Sequence, residues 1–215
     1  GSLYRQGGRE AEDLGAQYTL DLLDRFQLSE DDLFRAFDRC VERGLVPLCT
    51  PWDVESLEVV ERYGLPGYKV ASADLTNHDL LGAIADTGKP VIVSTGMSTQ
   101  SEIVEAVAVL QRHGASYALL QCNSTYPSPY KDLNLRYLDQ LRRIGGCPVG
   151  YSGHERGWHI PVAAVALGAR IVEKHLTIDR TLEGNDHKVS LLPGEFAQLV
   201  TSIRQLEEAL GTGAA

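Results

Sequence analysis

Residues 170–177, RIVEKHLT, open as an apolar run and then set Glu173, Lys174 and His175 side by side. Three ionisable groups at a strand end are costly to bury unless paired or bound to something. Strand alternation divides them. Glu173 and His175 share one face, while Lys174 points the opposite way and reads as a lysine snorkelling toward an outer helix layer. In the preceding apolar segment, VGYSGHE, Ser152 and His154 also share a face. Two imidazoles at neighbouring strand ends suit a divalent ion such as manganese, iron, cobalt or zinc, with positions left for ligand oxygens. The plain alternative for each histidine is a satisfied core or surface residue.

A second group has the chemistry of an anion cradle. Lys69 ends the segment GYKVAS, and the hydroxyls of Thr50, Ser72, Ser94 and Ser152 fall at the ends of similar segments. A lysine ringed by small donors suits a phosphate or carboxylate. Equally, Lys69 can pair with Glu173 or Asp74, and serines at strand ends can cap helices. TYPSPY (125–130) reads as a rigid turn in which Tyr126 either stacks structurally or lines a pocket. Asp186 and His187 sit in EGNDHKVS, a loop expected over the same mouth, whereas His78, His113 and His159 read as surface residues.

These groups need elements to hold them. Along the chain an amphipathic helix, a glycine and a short apolar run recur: GLVPLCT, GLPGYKVAS, GKPVIVST, HGASYALLQC, GGCPVGYS and GARIVEKHLT. Each glycine stands where a helix ends in a left-handed residue. The near-continuous apolar runs suit parallel strands covered on both faces. Ser29 precedes EDDLFRAFDRCVERG, Thr99-Gln100-Ser101-Glu102 is a capping box, and an apolar stripe from Phe196 to Leu210 predicts a last helix stopping at Gly211. Alternating strands and helices imply right-handed βαβ units. No GxGxxG or Walker loop supports a nucleotide crevice. Polar residues instead gather at the C-terminal ends of all six predicted strands, which favours a (β/α)8 barrel, where such ends share one mouth. Six strands leave that barrel two short. The predicted organisation is an irregular segment 1–16, a partial barrel 17–211 and a tail 212–215.

The bulk composition narrows the partners. A net charge of −9 without a lysine- or arginine-rich run argues against nucleic acid. The longest apolar stretch, 160–169, is too short to span a bilayer, so no membrane partner is expected. Cys40, Cys49, Cys122 and Cys147 have neither CxxC nor zinc spacing and read as reduced core thiols of a cytoplasmic protein.

The stretches CTPWDVESLEVVERYGLPGYKVASADLTN, GKPVIVSTGMSTQSEI, LLQCNSTYPSPYKDLNLR, VGYSGHERG and ALGARIVEKHLTIDRTLEGNDHKVSLLPGEF run in this order beyond residue 17. In that order they resemble the sialic acid synthase family, phosphoenolpyruvate-dependent makers of nine-carbon sugar acids on a TIM-type barrel. The resemblance implies a divalent ion on His154 and His175, usually manganese, with magnesium or cobalt as alternatives. It implies phosphoenolpyruvate on Thr50, Lys69, Ser72, Ser94, Ser124 and Ser152, an N-acetylhexosamine acceptor on Tyr126 and Asp186, and catalytic positions at Lys69 and at Asp74, an acidic position near the metal site. It does not extend to the family's opening strands, which carry EIG-NH-G and KFQ, nor to its C-terminal antifreeze-like domain. The matched stretches therefore correspond to barrel units three to eight.

Three readings follow: a synthase acting on N-acetylmannosamine or its 6-phosphate, a legionaminic or pseudaminic acid synthase, or an incomplete barrel serving as a binding or assembly module. SGHE resembles the animal-type members, whose acceptor is phosphorylated. Unpaired barrel edges template association unless covered, so a homo-oligomer, a dimer in the simplest case, is expected.

Overall fold

The computed structural model describes residues 25–212. The predicted irregular segment 1–16 and residues 213–215 of the predicted tail lie outside them. Contacts divide the chain into two units, with the boundary along the sequence between Val46 and Pro47. In the first, α1 (Glu30–Glu42) starts where the sequence placed it: the Ser29 hydroxyl accepts the Asp32 N–H, and three acidic residues fill the first turn. An N-cap of this kind contributes about 1 kcal/mol, and the carboxylates favour the positive end of the helix dipole.

The second unit alternates helix and strand: α2 (Val54–Tyr63), β1 (Tyr68–Val70), α3 (His78–Asp86), β2 (Val91–Ser94), α4 (Gln100–Arg112), β3 (Tyr117–Cys122), α5 (Tyr137–Gly145), β4 (Val149–Gly153), α6 (His159–Ala166), β5 (Ile171–Lys174) and α7 (Pro193–Leu210). The strands form one parallel sheet in chain order, β1-β2-β3-β4-β5. Six strands were expected and five form. GLVPLCT contributes only a single parallel bridge, Cys49 to Tyr68, with the Lys69 N–H donating to the Cys49 carbonyl at 2.9 Å. Pro47 and Pro51 flank that bridge and offer no N–H to extend a ladder.

Burial follows the apolar runs. All five residues of β4 and five of the six in β3 are buried. Outside the sheet, Ile84, Leu110, Leu138 and Leu141 of successive helices are buried in the layer that covers it. The Thr99 capping box is made in both directions, with the Glu102 carboxylate accepting the Thr99 N–H at 2.6 Å. α7 ends before Gly211 as its stripe predicts, although of that stripe Leu199 is buried while Val200 and Leu210 stay exposed.

Two close approaches set the spacing of the strand ends. At Gly150 in β4, a Cβ would lie 2.5 Å from both the Ile171 carbonyl oxygen and a Leu120 methyl. At Gly96, just past β2, it would lie 2.7 Å from the Ser124 hydroxyl and 2.9 Å from the Cys122 sulfur. Only glycine permits such contacts.

The sheet also curls. If it were flat, β1 and β5 would stand roughly 19 Å apart at the usual strand spacing. Instead Lys69 Nζ on β1 reaches the Glu173 carboxylate on β5 at 3.4 Å. The five strands are thus an α/β, barrel-like arc whose C-terminal ends face one another.

Candidate active site

Inside that arc lies a cavity of about 390 Å3 lined by residues from every strand end. The structure brings together Thr50, Lys69, Ser72, Ser94, Ser124, Tyr126, Ser152, His154, His175 and Asp186, together with Glu173. Asp74 is the exception: it does not line the cavity. It closes the 3-10 turn Ser72–Asp74, where one carboxylate oxygen accepts from the Asn77 amide at 3.4 Å and the other is buried without a partner among the described residues.

On one side of the cavity is the cradle. Lys69 Nζ donates to the Val70 carbonyl at 3.2 Å and pairs with Glu173, whose other oxygen accepts from the Ser152 hydroxyl at 2.8 Å. The β4–β5 register sets Ser152 directly opposite Glu173, which makes that contact. Ser72 Oγ accepts the Gly96 N–H at 3.0 Å and so ties the turns after β1 and β2. Ser94 Oγ is buried with no hydrogen-bond partner among the described residues. A buried hydroxyl without a partner loses its solvation with no return, by roughly 1–3 kcal/mol. It lines the cavity, where its hydroxyl has a proton to donate.

The histidines face this cradle, their ring centroids 5.2 Å apart. His154 Nδ1 donates to the Asn123 carbonyl at 2.7 Å. That bond leaves Nε2 with its lone pair, which accepts the Tyr126 hydroxyl at 2.9 Å. Burial pushes the Tyr126 phenol up to about 12, with the negative charges of Asp186, Cys122 and Glu173 adding to it, so the hydroxyl remains a donor. Burial pushes His175 below the ordinary imidazole value, while Asp186, 3.7 Å from its Nδ1, opposes that shift. For His154 the same burial is outweighed by Cys122 and the Asn123 carbonyl, and the group rises.

The chemistry of this donor set fits a divalent ion held at an open site. His154 offers a lone pair fixed by its other ring nitrogen, and His175 is held neutral by its surroundings. Among the described residues no group of three or more His, Cys, Asp or Glu side chains converges on one point. The two imidazoles would therefore be the protein ligands, with the other positions left to substrate or water oxygens.

Lys174 overturns one expectation. Rather than snorkelling outward, its ammonium is wholly buried against an equally buried Glu155, 3.2 Å away, and also donates to the Glu155 carbonyl. The Tyr151 hydroxyl donates to the second Glu155 oxygen at 2.6 Å. The partial exposure of residue 174 comes from its backbone, since β5 pairs only with β4 among the described residues. His187 does not enter the cavity; its Nδ1 meets the Thr177 hydroxyl at 2.7 Å and fastens the loop carrying Asp186.

Sequence reasoning missed five lining residues, Trp52, Ala71, Ala73, Met97 and Cys122. Cys122 had a signal, because it lies two residues before Ser124 and so shares its face. Trp52 and Met97 lie in loops, where no periodicity applies.

A model of the NeuB family matches residues 4–215. The chain belongs to the NeuB family. It is 44% identical over 169 residues to N,N'-diacetyllegionaminic acid synthase of Campylobacter jejuni, which it covers to 51% of that protein's length and with 77% of its own. It is 38% identical over 183 residues to human N-acetylneuraminate-9-phosphate synthase, with 84% of this chain and 51% of the human one aligned. Among solved structures it resembles the N-acetylneuraminic acid synthetase of Leptospira borgpetersenii in complex with citrate, at a TM-score of 0.88 and 35% identity, covering 96% of this chain and 70% of that one. The chain thus spans about half the length of these two relatives. No helix among its described residues is long and apolar enough to cross a membrane.

Proposed function

We propose that this chain forms the catalytic face of a nonulosonate synthase, which condenses phosphoenolpyruvate with N-acetylmannosamine or its 6-phosphate. The products are N-acetylneuraminate or its 9-phosphate, and phosphate. The observation that carries this reading is the unpartnered Ser94 hydroxyl beside Lys69, in a hydroxyl-ringed cavity that faces two histidines. A lysine and small donors fit a phosphate and a carboxylate together, and the related Leptospira enzyme was solved with citrate, a carboxylate ligand.

In this reading Lys69, Thr50, Ser72, Ser94, Ser124 and Ser152 hold phosphoenolpyruvate, while Tyr126 and Asp186 orient the acceptor. C3 of phosphoenolpyruvate bonds to the acceptor's aldehyde carbon, water adds at C2, and the phosphate group departs with its bridging oxygen. A divalent ion on His154 and His175, manganese before magnesium or cobalt, would supply Lewis-acid polarisation of the acceptor carbonyl. The protein's own contribution is orientation: fixing two substrates over one arc of strand ends replaces a bimolecular encounter. Five strands supply part of an eight-stranded barrel. In this reading a second copy in a dimer covers the β5 edge.

The 44% identity to the Campylobacter enzyme favours a second acceptor, a diacetamido hexosamine leading to a legionaminic-type acid. Phosphate release from phosphoenolpyruvate with manganese and each acceptor in turn separates the two. Release with none of them, alongside intact phosphoenolpyruvate binding, identifies a binding module. Phosphoenolpyruvate affinity unchanged in Lys69→Ala removes the cradle, and the proposed function with it.

A further inference from the structure

A second cavity, also about 390 Å3, is lined by Arg156, Arg180, Lys188, Ser190 and Glu195. It lies in the loops after β4 and β5, the last two strands of the sheet. Arg156 is two residues beyond His154, and Lys188 two beyond Asp186, so each Cα is within roughly 7 Å of chain from a residue of the first cavity. Three cations face one carboxylate here, in a chain whose net charge is −9.

That carboxylate is already committed. Glu195 is held by Arg180 and caps α7 by accepting the Leu192 N–H at 2.8 Å. Arg180 is itself fixed, its Nε donating to the Ser190 carbonyl at 3.0 Å. Ser190 is buried and donates its hydroxyl to the Asp186 carbonyl at 2.8 Å, which joins this cavity's wall to the first cavity's lining. The Arg156 and Lys188 side chains have no ion-pair partner among the described residues. Two uncompensated cations beside a pinned guanidinium leave the cavity with excess positive charge that no structural contact uses. Loops after the last two strands of a parallel barrel are also where that architecture commonly holds phosphate.

We infer that this cavity is a phosphate-group subsite, separate from the Lys69 cradle, in which Arg156 and Lys188 are the anion ligands and Arg180 the fixed wall. The phosphate is either inorganic or carried by the acceptor; the second source rests on the proposed function, and the first does not. Fork-shaped Arg156 can bind two oxygens at once, while Lys188 acts as a point charge. Both side chains are exposed, so replacing them leaves the core untouched.

Calorimetric titration of the full chain with inorganic phosphate tests the subsite. In Arg156→Ala/Lys188→Ala the phosphate affinity should fall at least tenfold, and in Lys69→Ala a phosphate site should persist. Circular dichroism of each variant, with Arg156→Gln/Lys188→Gln as a milder second pair, separates binding loss from unfolding. Titration with N-acetylmannosamine and its 6-phosphate then identifies the source. Weakening of the sugar phosphate together with inorganic phosphate, with the sugar unchanged, assigns the acceptor; weakening of inorganic phosphate without the sugar phosphate assigns the free ion. Phosphate affinity left unweakened by both double variants, a phosphate site lost in Lys69→Ala, or no phosphate binding by the unaltered chain overturns the subsite. Phosphoenolpyruvate affinity, read in the same variants, reports on the cradle independently.

Discussion

Two adjacent residues of β5 each join a lysine–glutamate pair, and the pairs differ in kind. Glu173 meets Lys69 across the cavity at 3.4 Å, with side-chain exposures of 40% and 14%. Lys174 meets Glu155 at 3.2 Å with both side chains at 0%. The first pair is long, partly wet and shared with Ser152, so a ligand anion can compete for Lys69. The second is sealed, and its remaining hydrogen bonds come from Tyr151 and a backbone carbonyl. Alternation along one strand has placed an openable ion pair on the inner face and a fixed one on the outer. Because Glu155 follows His154 and Lys174 precedes His175, the fixed pair also ties together the two strands that carry the histidines.

The sharpest way to break this contrast is Lys174→Met, which strands a buried carboxylate. Stability should fall by about 3–5 kcal/mol in urea denaturation, and Glu155→Leu/Lys174→Met should recover most of it. A single-variant loss below about 1 kcal/mol would falsify the sealed pair. Lys69→Ala should behave in the opposite way. Stability should stay within about 1 kcal/mol, whereas phosphoenolpyruvate affinity should drop ~100-fold, equivalent to about 2.7 kcal/mol of charge-assisted contact. Ser152→Ala removes a single hydroxyl from Glu173; a loss of about 1 kcal/mol in binding, near fivefold by titration, is expected.

The smallest effect concerns a third pair, Lys89–Glu61, of intermediate exposure. Burial pushes the Glu61 carboxyl up, but hydrogen bonds from Lys89 and Tyr68 outweigh it and hold the group below its ordinary value. A carboxyl lowered in the folded state stabilises above the unfolded value and loses that contribution as pH falls through the folded one. The gap in melting temperature between the unaltered chain and Glu61→Gln should therefore be present at neutral pH and close below about pH 4. A gap that stays constant with pH would mean that the carboxylate's charge contributes nothing.

The mouth of the arc was legible in the sequence because apolar runs with polar ends leave little choice of orientation. Ser94, Ser152, His154 and His175 follow from the period of two alone, and Thr99 and Ser29 from their capping patterns. Lys174 was legible only in direction. Its depth depends on Glu155, one residue past β4, and an ion pair between adjacent strands has no spacing signature. Asp74 turned away from the cavity because a 3-10 turn, rather than an extended segment, follows β1. The first predicted strand shrank to one bridge because the prolines on either side of it remove ladder donors.

The contacts at Gly96 and Gly150 bear on how this mouth tolerates change. Its chemistry rests on side chains that project from strand ends, whereas its dimensions rest on two positions with no side chain at all. Randomising Ser94, whose hydroxyl makes no hydrogen bond among the described residues, leaves that frame in place. A methyl group at Gly150 would instead drive β4 away from β5 and carry His154 off with it. For anyone reshaping this cavity, the freely variable alphabet begins where those two glycines are left alone.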